Sequence, residues 1–285
     1  MNINPVLLKE LRVRMRSWKA MWMLLAYLSA LTLVAAYVLL NTLNNYNSFN
    51  MNPESTMGAY IGISIIQFLL IAFIAPSLTS GAISGERERQ TLDLLLSTRM
   101  SPASIISGKL FASLSQVILL VVASLPIFSV VFLFGGISIG DLMKLFLFYI
   151  VVAITMGSIG IFFSTFIKKT TGSNVTTYAF ILFLLFGTLL ISVLYISMKF
   201  RYAAQGTPAD YVFPLLYTNP LAGFASMLSD QFGGNSIGIP GFYGGTQSNM
   251  LGLWKINIIF DIALSVILLY FSALKLNPVK KGIKK

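Results

Sequence analysis

The chain has no cysteine and no histidine, and charged residues make up only 10% of its 285 residues. Disulfides, thiolate catalysis and metal sites built from Cys or His are therefore excluded. Gly108-Lys109 is followed by Leu110, so the chain also lacks the Ser or Thr that a P-loop requires. The acidic residues include no pair in the setting of a general acid and base. We expect a protein that is not an enzyme and carries no cofactor or metal of its own.

Apolar residues, in contrast, make up 56% of the chain, and the mean hydropathy is +0.81. Several continuous apolar runs exceed the length that crosses a bilayer as a helix, whereas the strands of a β-barrel would alternate. The sequence therefore predicts an all-α, polytopic membrane protein with a single transmembrane domain over residues 1–285. Its six predicted spans are residues 21–40, 58–83, 104–134, 142–167, 176–198 and 251–274. Pro126 is expected to kink or end the third span.

The net charge of +11 comes mostly from one side of this predicted bundle. Most Lys and Arg residues flank the N-terminus, the connections between spans two and three and between spans four and five, and the C-terminus. The other side holds Lys144, Lys199, Arg201 and Lys255. The positive-inside rule then places both termini in the cytoplasm. We take the basic excess as a mark of the cytoplasmic leaflet and expect no nucleic-acid partner.

Residues 4–19 predict a helix that lies in the interface of the membrane. Asn4 can cap it, and Pro5 suits its first position. At helical spacing, one face carries Leu7, Leu11, Met15 and Trp18. Such an amphipathic pattern is typical of interfacial helices. The alternative is a basic flank that only orients the first span.

Charge is concentrated between spans two and three, where Glu86 to Arg89 alternate in sign. Apolar residues recur at helical spacing through this stretch, at Leu92, Leu95, Leu96 and Met100. The pattern predicts a cytoplasmic helix over residues 85–100 that lies across the ends of two spans. Ser101-Pro102 then starts the next helix. The predicted helix either tucks under its own bundle or docks on a partner, and periodicity does not decide between them.

The region of residues 199–250 is the only large predicted external segment, and it is rich in aromatic residues and interrupted by prolines. Its apolar stretch at residues 220–228 is too short to span a bilayer, which suggests a re-entrant or interfacial helix. An ordinary lid-like loop is the alternative. Within the spans, three polar side chains stand out: Asp261, Gln67 and Gln116. Asp261 suggests either a cation or proton site or a structural charge that faces the bundle interior, whereas the two glutamines suggest interhelical hydrogen bonds.

The stretch Gly85-Glu86-Arg87-Glu88-Arg89-Gln90-Thr91-Leu92-Asp93-Leu94-Leu95-Leu96-Ser97-Thr98 closely resembles the G-E-x-E-x-x-T-L-x-x-L-L-x-T/S signature of type-2 ABC transporter permeases. Ser101-Pro102-x-x-Ile105-x-x-Gly108-Lys109 continues the same pattern. Arg99 and Met100 depart from it, since small or proline residues are expected there.

This resemblance implies a prokaryotic plasma-membrane permease without its own ATPase, in which residues 85–100 are the coupling helix and residues 4–19 the elbow helix. The implied contacts with a separate ABC ATPase subunit are Glu86, Arg87, Glu88, Gln90, Thr91, Leu92 and Leu95, with Lys168 and Lys169 as a second, smaller contact. ATP and Mg would bind to that ATPase. A full transporter would hold two ATPases and two permeases, the second permease being identical or paralogous.

Export is implied by the family, and the nearly uncharged spans favour a lipophilic or amphipathic substrate. Two other functions stay open at this point. One is a secondary transporter or channel that uses Asp261. The other is a membrane sensor or immunity subunit that moves no substrate.

Overall fold

The computed structural model describes residues 10–12, 16–44, 53–97, 100–133, 137–202, 214–232 and 252–276. Its α-helices, in chain order, are α1 (Trp18–Asn44), α2 (Pro53–Thr79), α3 (Ser84–Glu88), α4 (Leu92–Leu96), α5 (Pro102–Ala123), α6 (Leu125–Leu133), α7 (Ile139–Phe166), α8 (Thr170–Leu182), α9 (Thr188–Tyr202), α10 (Pro220–Gln231) and α11 (Leu253–Leu276). A π-helical turn, Phe183–Gly187, joins α8 to α9, and a 3-10 turn, Pro214–Thr218, precedes α10.

All regular structure in these described ranges is helical. Six helical segments are long and apolar enough to cross a membrane, and they are formed by α1, α2 with α3, α5 with α6, α7, α8 with α9, and α11. The prediction of an all-α, polytopic membrane protein is confirmed. Of the predicted interfacial helix at residues 4–19, only residues 10–12 and 16–19 are described, and of the predicted external region only residues 199–202 and 214–232.

The third span is interrupted close to where Pro126 predicts. Helix α5 begins at an N-cap, Ser101, whose hydroxyl accepts a hydrogen bond from the backbone N–H of Ser104 at 3.2 Å. It ends at Ala123, and the hydroxyl of the next residue, Ser124, donates to the Val121 carbonyl at 2.7 Å. Pro126 then occupies the first turn of α6, where a missing N–H costs no helical hydrogen bond.

The chain divides into two compact units, and the first comprises Met1–Asn174 and Leu268–Lys285. Its centre is the pair α2 and α7, which run parallel. The Tyr149 hydroxyl donates to the Ser64 carbonyl at 2.8 Å, and further along α7 the Ser164 hydroxyl accepts from the first backbone N–H of α3 at 2.9 Å. Between these points Gly160 lies so close to Thr79 that a Cβ would overlap its hydroxyl. Only glycine allows this approach of the two helices.

The second unit, Val175–Ile267, contains the short helix α10. The side-chain oxygen of Asn219 caps this helix by accepting from Leu221 N–H at 2.7 Å, and the same side chain donates to the Leu185 carbonyl at 2.8 Å and to the Thr188 hydroxyl at 2.6 Å. With 12 residues, α10 is about 18 Å long, too short for a hydrocarbon core of about 30 Å. Its re-entrant placement stays a prediction.

Candidate partner-docking segment

The charged segment, defined here as residues 84–97, contains two short helices, α3 and α4, instead of the single helix predicted for residues 85–100. Gln90 separates them and has a φ of 59°, in the left-handed region. Its N–H donates to the Arg87 carbonyl at 3.1 Å, and the N–H of Thr91 donates to the Glu86 carbonyl at 2.9 Å. These two bonds form a Schellman motif, which ends α3. The prediction of one continuous helix was wrong because glutamine occupies the position that usually signals this motif with glycine.

Arg87 fixes the charged segment to the end of α7. Its guanidinium donates to the backbone carbonyls of Thr165 at 3.1 Å and Ile167 at 3.3 Å. The last carbonyls of a helix have no partner within the helix and carry partial negative charge. A half-buried arginine at this position therefore satisfies two of them and interacts favourably with the helix dipole.

Glu88 makes the opposite contact with the start of α8. Its carboxylate accepts from the Thr170 backbone N–H at 2.9 Å and from the Thr170 hydroxyl at 2.6 Å. Glu88 is exposed and follows the apolar part of the second span. The hydrogen bond from the Thr170 hydroxyl, then that from its N–H, and the charge of nearby Lys169 hold the pKa of the Glu88 carboxyl below its ordinary value. The negative charge also suits the positive end of the α8 dipole.

Lys109 forms a third attachment, at the start of α5. Its side chain is only 4% exposed, and its Nζ lies 2.6 Å from Glu10 Oε1 and 3.0 Å from Glu86 Oε1. The other Glu86 carboxylate oxygen accepts a short hydrogen bond from the Thr91 hydroxyl. The lysine thus joins the N-terminal segment, the charged segment and α5. A buried ammonium of this kind is tolerated only with close carboxylate partners.

The opposite face of the charged segment is open. Leu92 is 8% exposed, while Leu94 is 75% exposed. Leu95 and Leu96 are half-buried. The exposed residues of the segment around Leu94 are Arg89, Gln90, Thr91 and Asp93.

The predicted contact residues therefore fall into two groups. Glu86, Arg87 and Leu92 face other parts of this chain, and Leu95 is half-buried. Five are exposed: Glu88, Gln90, Thr91, Lys168 and Lys169. Of these, Glu88 accepts hydrogen bonds from Thr170. Because Arg87 and Glu88 hold the segment against the loop at residues 167–169, the two predicted contact regions lie side by side. The predicted contacts omitted Leu94 because it lies outside the stripe of apolar residues at helical spacing. A leucine outside that stripe, among charged residues, was the sequence signal that could have identified it.

Besides this segment's contacts, three intramembrane polar residues were predicted: Gln67, Gln116 and Asp261. Gln67 and Gln116 belong to the first unit and Asp261 to the second, and all three are buried. The Gln67 amide makes no hydrogen bond with any residue that the structure describes, so the predicted interhelical bond is not seen there. Across the described ranges, no three Asp or Glu side chains converge into a group that could hold a metal ion.

Comparison with known proteins agrees with these features. No curated protein matches the chain. Residues 4–271, however, match the family model described as "ABC-2 family transporter protein", and this range includes most of the sixth candidate span. The family match and the helical fold point to a non-catalytic transport subunit, and the family implies association with ABC ATPase subunits in general. The match covers far more than half of the sequence, and the chain therefore belongs to the ABC-2 family of transporter proteins, as a multi-pass membrane subunit of an ABC transporter.

Proposed function

We propose that the chain is the permease of an ATP-driven exporter, and that its charged segment receives a separate ATPase subunit at the cytoplasmic side of the plasma membrane. This proposal is based on the difference between the two faces of the charged segment. Three side chains attach one face to the bundle, while the other face presents Leu94 at 75% exposure with Arg89 and Asp93 beside it. An apolar residue inside a charged rim is the usual composition of a protein-protein contact.

The cytoplasmic orientation rests on the distribution of charge. The exposed Lys168 and Lys169 lie beside the charged segment, and Lys275 lies in the last turn of α11. At the other ends of the spanning helices, the described chain has few basic residues, among them Lys144 near the start of α7. Basic residues are retained on the cytoplasmic side of membrane proteins. This asymmetry supports placing the charged segment in the cytoplasm.

The attachments suggest how movement of the ATPase would reach the membrane. Arg87 holds the end of α7, Glu88 holds the start of α8, and Glu86 is paired with Lys109 at the start of α5. A displacement of the charged segment would therefore move the ends of three spanning helices together. Alternation between two packings of such a bundle would expose the transport path to each side in turn. The predominantly apolar helices favour a lipophilic or amphipathic substrate.

Replacing Leu94 with aspartate tests this proposal. We expect Leu94→Asp to weaken binding of the ATPase at least about tenfold, since a charge would enter the centre of the contact, with no change in the thermal stability of the permease. The measurement is recovery of ATPase with the affinity-tagged permease, together with ATP turnover of the purified complex.

The matched control is Ile139→Asp. Ile139 is 64% exposed and begins α7, where aspartate suits the helix N-terminus, and it lies at the other end of that helix from the charged segment. Recovery of the ATPase should be unchanged in this variant. Equal recovery with wild type and Leu94→Asp would show that the charged segment is not the docking site.

A further inference from the structure

A cavity of about 880 Å³ lies beneath the charged segment, within the first unit. We propose that it binds the phosphate headgroup of an anionic phospholipid. Three basic side chains line it, from Arg87, Lys168 and Lys275, and one acidic side chain, Asp93. They come from four different elements of the chain: α3, the loop before α8, the end of α11 and α4.

The charge of the lining favours an anion. No carboxylate in the described part of the chain lies within salt-bridge distance of the three basic side chains. Arg87 uses two of its five N–H donors on backbone carbonyls, which leaves others for a ligand. A phosphate diester has the charge and the acceptor oxygens to meet them. Asp93 and Gln90 provide acceptors for the hydroxyls of a polyol headgroup such as glycerol.

The apolar part of the lining favours a lipid over a soluble phosphate. Phe166 and Leu276 are the last residues of two spanning helices, α7 and α11, so the cavity lies where these helices leave the hydrocarbon. Lys275 Nζ is 5.5 Å from the centroid of the Phe166 ring. Tyr270 and Phe271, which lie five to six residues before this end of α11, are exposed apolar side chains. An acyl chain can follow that surface while the phosphate remains in the cavity.

Leu94 lies on the face of α4 opposite the cavity, and Asp93 borders both the cavity and the proposed docking surface. Leu92 and Leu96 line the cavity, and they are one turn apart on one face. Leu94 projects from the opposite face. A lipid in the cavity therefore leaves Leu94 accessible. The inference takes only the orientation from the proposed function, because anionic lipids are attracted to basic pockets on the cytoplasmic side.

Native mass spectrometry of the purified full-length permease, without ATPase, tests the site. Phosphatidylglycerol and phosphatidylcholine are titrated separately, and we expect the wild type to prefer phosphatidylglycerol. The double variant Lys168→Gln/Lys275→Gln removes two cationic groups and spares Arg87, which the charged segment needs. We expect its affinity for phosphatidylglycerol to fall about 30-fold, with little change for phosphatidylcholine.

Lys255→Gln is the matched control. Lys255 lies near the other end of α11, and its Nζ is also 5.5 Å from a ring centroid, that of Trp254. The Lys255→Gln variant should bind phosphatidylglycerol with the same affinity as the wild type. The charge-preserving double variant Lys168→Arg/Lys275→Arg should keep the preference for phosphatidylglycerol even if the glutamine variant loses stability.

Three results would overturn the proposal. The first is equal binding of the two lipids by the wild type. The second is loss of the phosphatidylglycerol preference in Lys255→Gln to the same extent as in the double variant, or no loss in either. The third is displacement of the lipid by sn-glycerol 3-phosphate at a similar concentration, which would identify a site for soluble phosphate esters. Because no ATPase is present, none of these results depends on the docking proposal.

Discussion

Both faces of the charged segment carry acidic and basic residues, but the two faces have different surroundings. On the inner face, Glu86 and Arg87 each have a partner that lies roughly 20 or 80 residues away in the chain. On the outer face, Arg89 and Asp93 are exposed and flank Leu94. Charged residues of one short motif thus divide between holding the segment in place and presenting a surface. The motif is therefore not a uniform set of partner contacts.

Because Glu86 and Glu88 are bound within the permease, their substitution would affect the stability of the permease as well as ATPase binding. A double change of Glu86 and Glu88 to lysine, which the sequence suggests as a test of docking, would place an ammonium beside Lys109 and another at the positive end of α8. It would disturb the permease itself. Variants of the inner face should therefore alter stability first, and variants of the outer face should alter ATPase binding alone.

The largest effect on stability is expected from Lys109→Met. It leaves Glu10 and Glu86 without the ammonium between them, and their side chains are only 17% and 32% exposed. Because both glutamates keep some access to water, we expect the free energy of unfolding to fall by about 2 kcal/mol, less than for a fully buried pair. The measurement is the Tm of the purified permease in detergent.

Lys144→Met is the control for this prediction. Its Nζ lies 2.9 Å from Asp141 Oδ1, but the lysine is 48% exposed. Removal of this exposed ion pair should lower the free energy of unfolding by less than about 0.5 kcal/mol. If the two variants had the same Tm, burial of Lys109 would contribute nothing to the attachment.

A smaller effect is expected at the corner between α3 and α4. Gln90 has a φ of 59°, a conformation that glycine adopts without cost and β-branched residues resist. Gln90→Gly should leave stability unchanged or raise it by up to about 1 kcal/mol, whereas Gln90→Val should lower it by about 1 kcal/mol. The paired Tm values check this. A more stable valine variant would mean that the charged segment adopts one continuous helix after all.

The smallest effect concerns pH and Glu88, whose carboxyl has a pKa below its ordinary value of 4.5. A carboxyl with a depressed pKa contributes stability above its unfolded pKa and loses it as pH falls through the folded value. The Tm difference between wild type and Glu88→Gln should therefore be constant at neutral pH and shrink below about pH 4.5. A difference that persisted unchanged into this acidic range would exclude the carboxylate charge as its source.

Much of the fold could be predicted from the sequence because hydropathy depends on local composition. The six spans, the N-cap at Ser101 and an interruption near Pro126 all follow from residues within a few positions of each feature. The asymmetry of basic residues likewise predicted an orientation. The family signature was recognisable for the same reason, since it occupies one continuous stretch.

The candidate site was less accessible to prediction. The Schellman motif at Gln90 lacks the glycine that usually signals it, so helical periodicity concealed the break. The pairs that link Glu10 with Lys109, and Glu88 with Thr170, join residues about 80 to 100 positions apart. Nothing local in a single sequence specifies such partners. Leu94 was left out because it lay off the apolar stripe, although that exposure is what suits it to a partner.

The proposed contact between the outer face of the charged segment and a cytoplasmic ATPase can be tested by crosslinking. Because the chain has no cysteine, Leu94→Cys introduces a single thiol. In sealed membrane vesicles the maleimide end of a short maleimide–diazirine reagent adds to this thiol, and on irradiation the carbene formed from the diazirine, with loss of N₂, inserts into a bond of whichever protein chain lies beside it. We expect a crosslink to a P-loop ATPase in inside-out vesicles, protection from membrane-impermeant maleimide in right-side-out vesicles, and no ATPase crosslink for Ile139→Cys. Labelling of Leu94→Cys from outside, or a crosslink pattern identical to that of Ile139→Cys, would contradict the account.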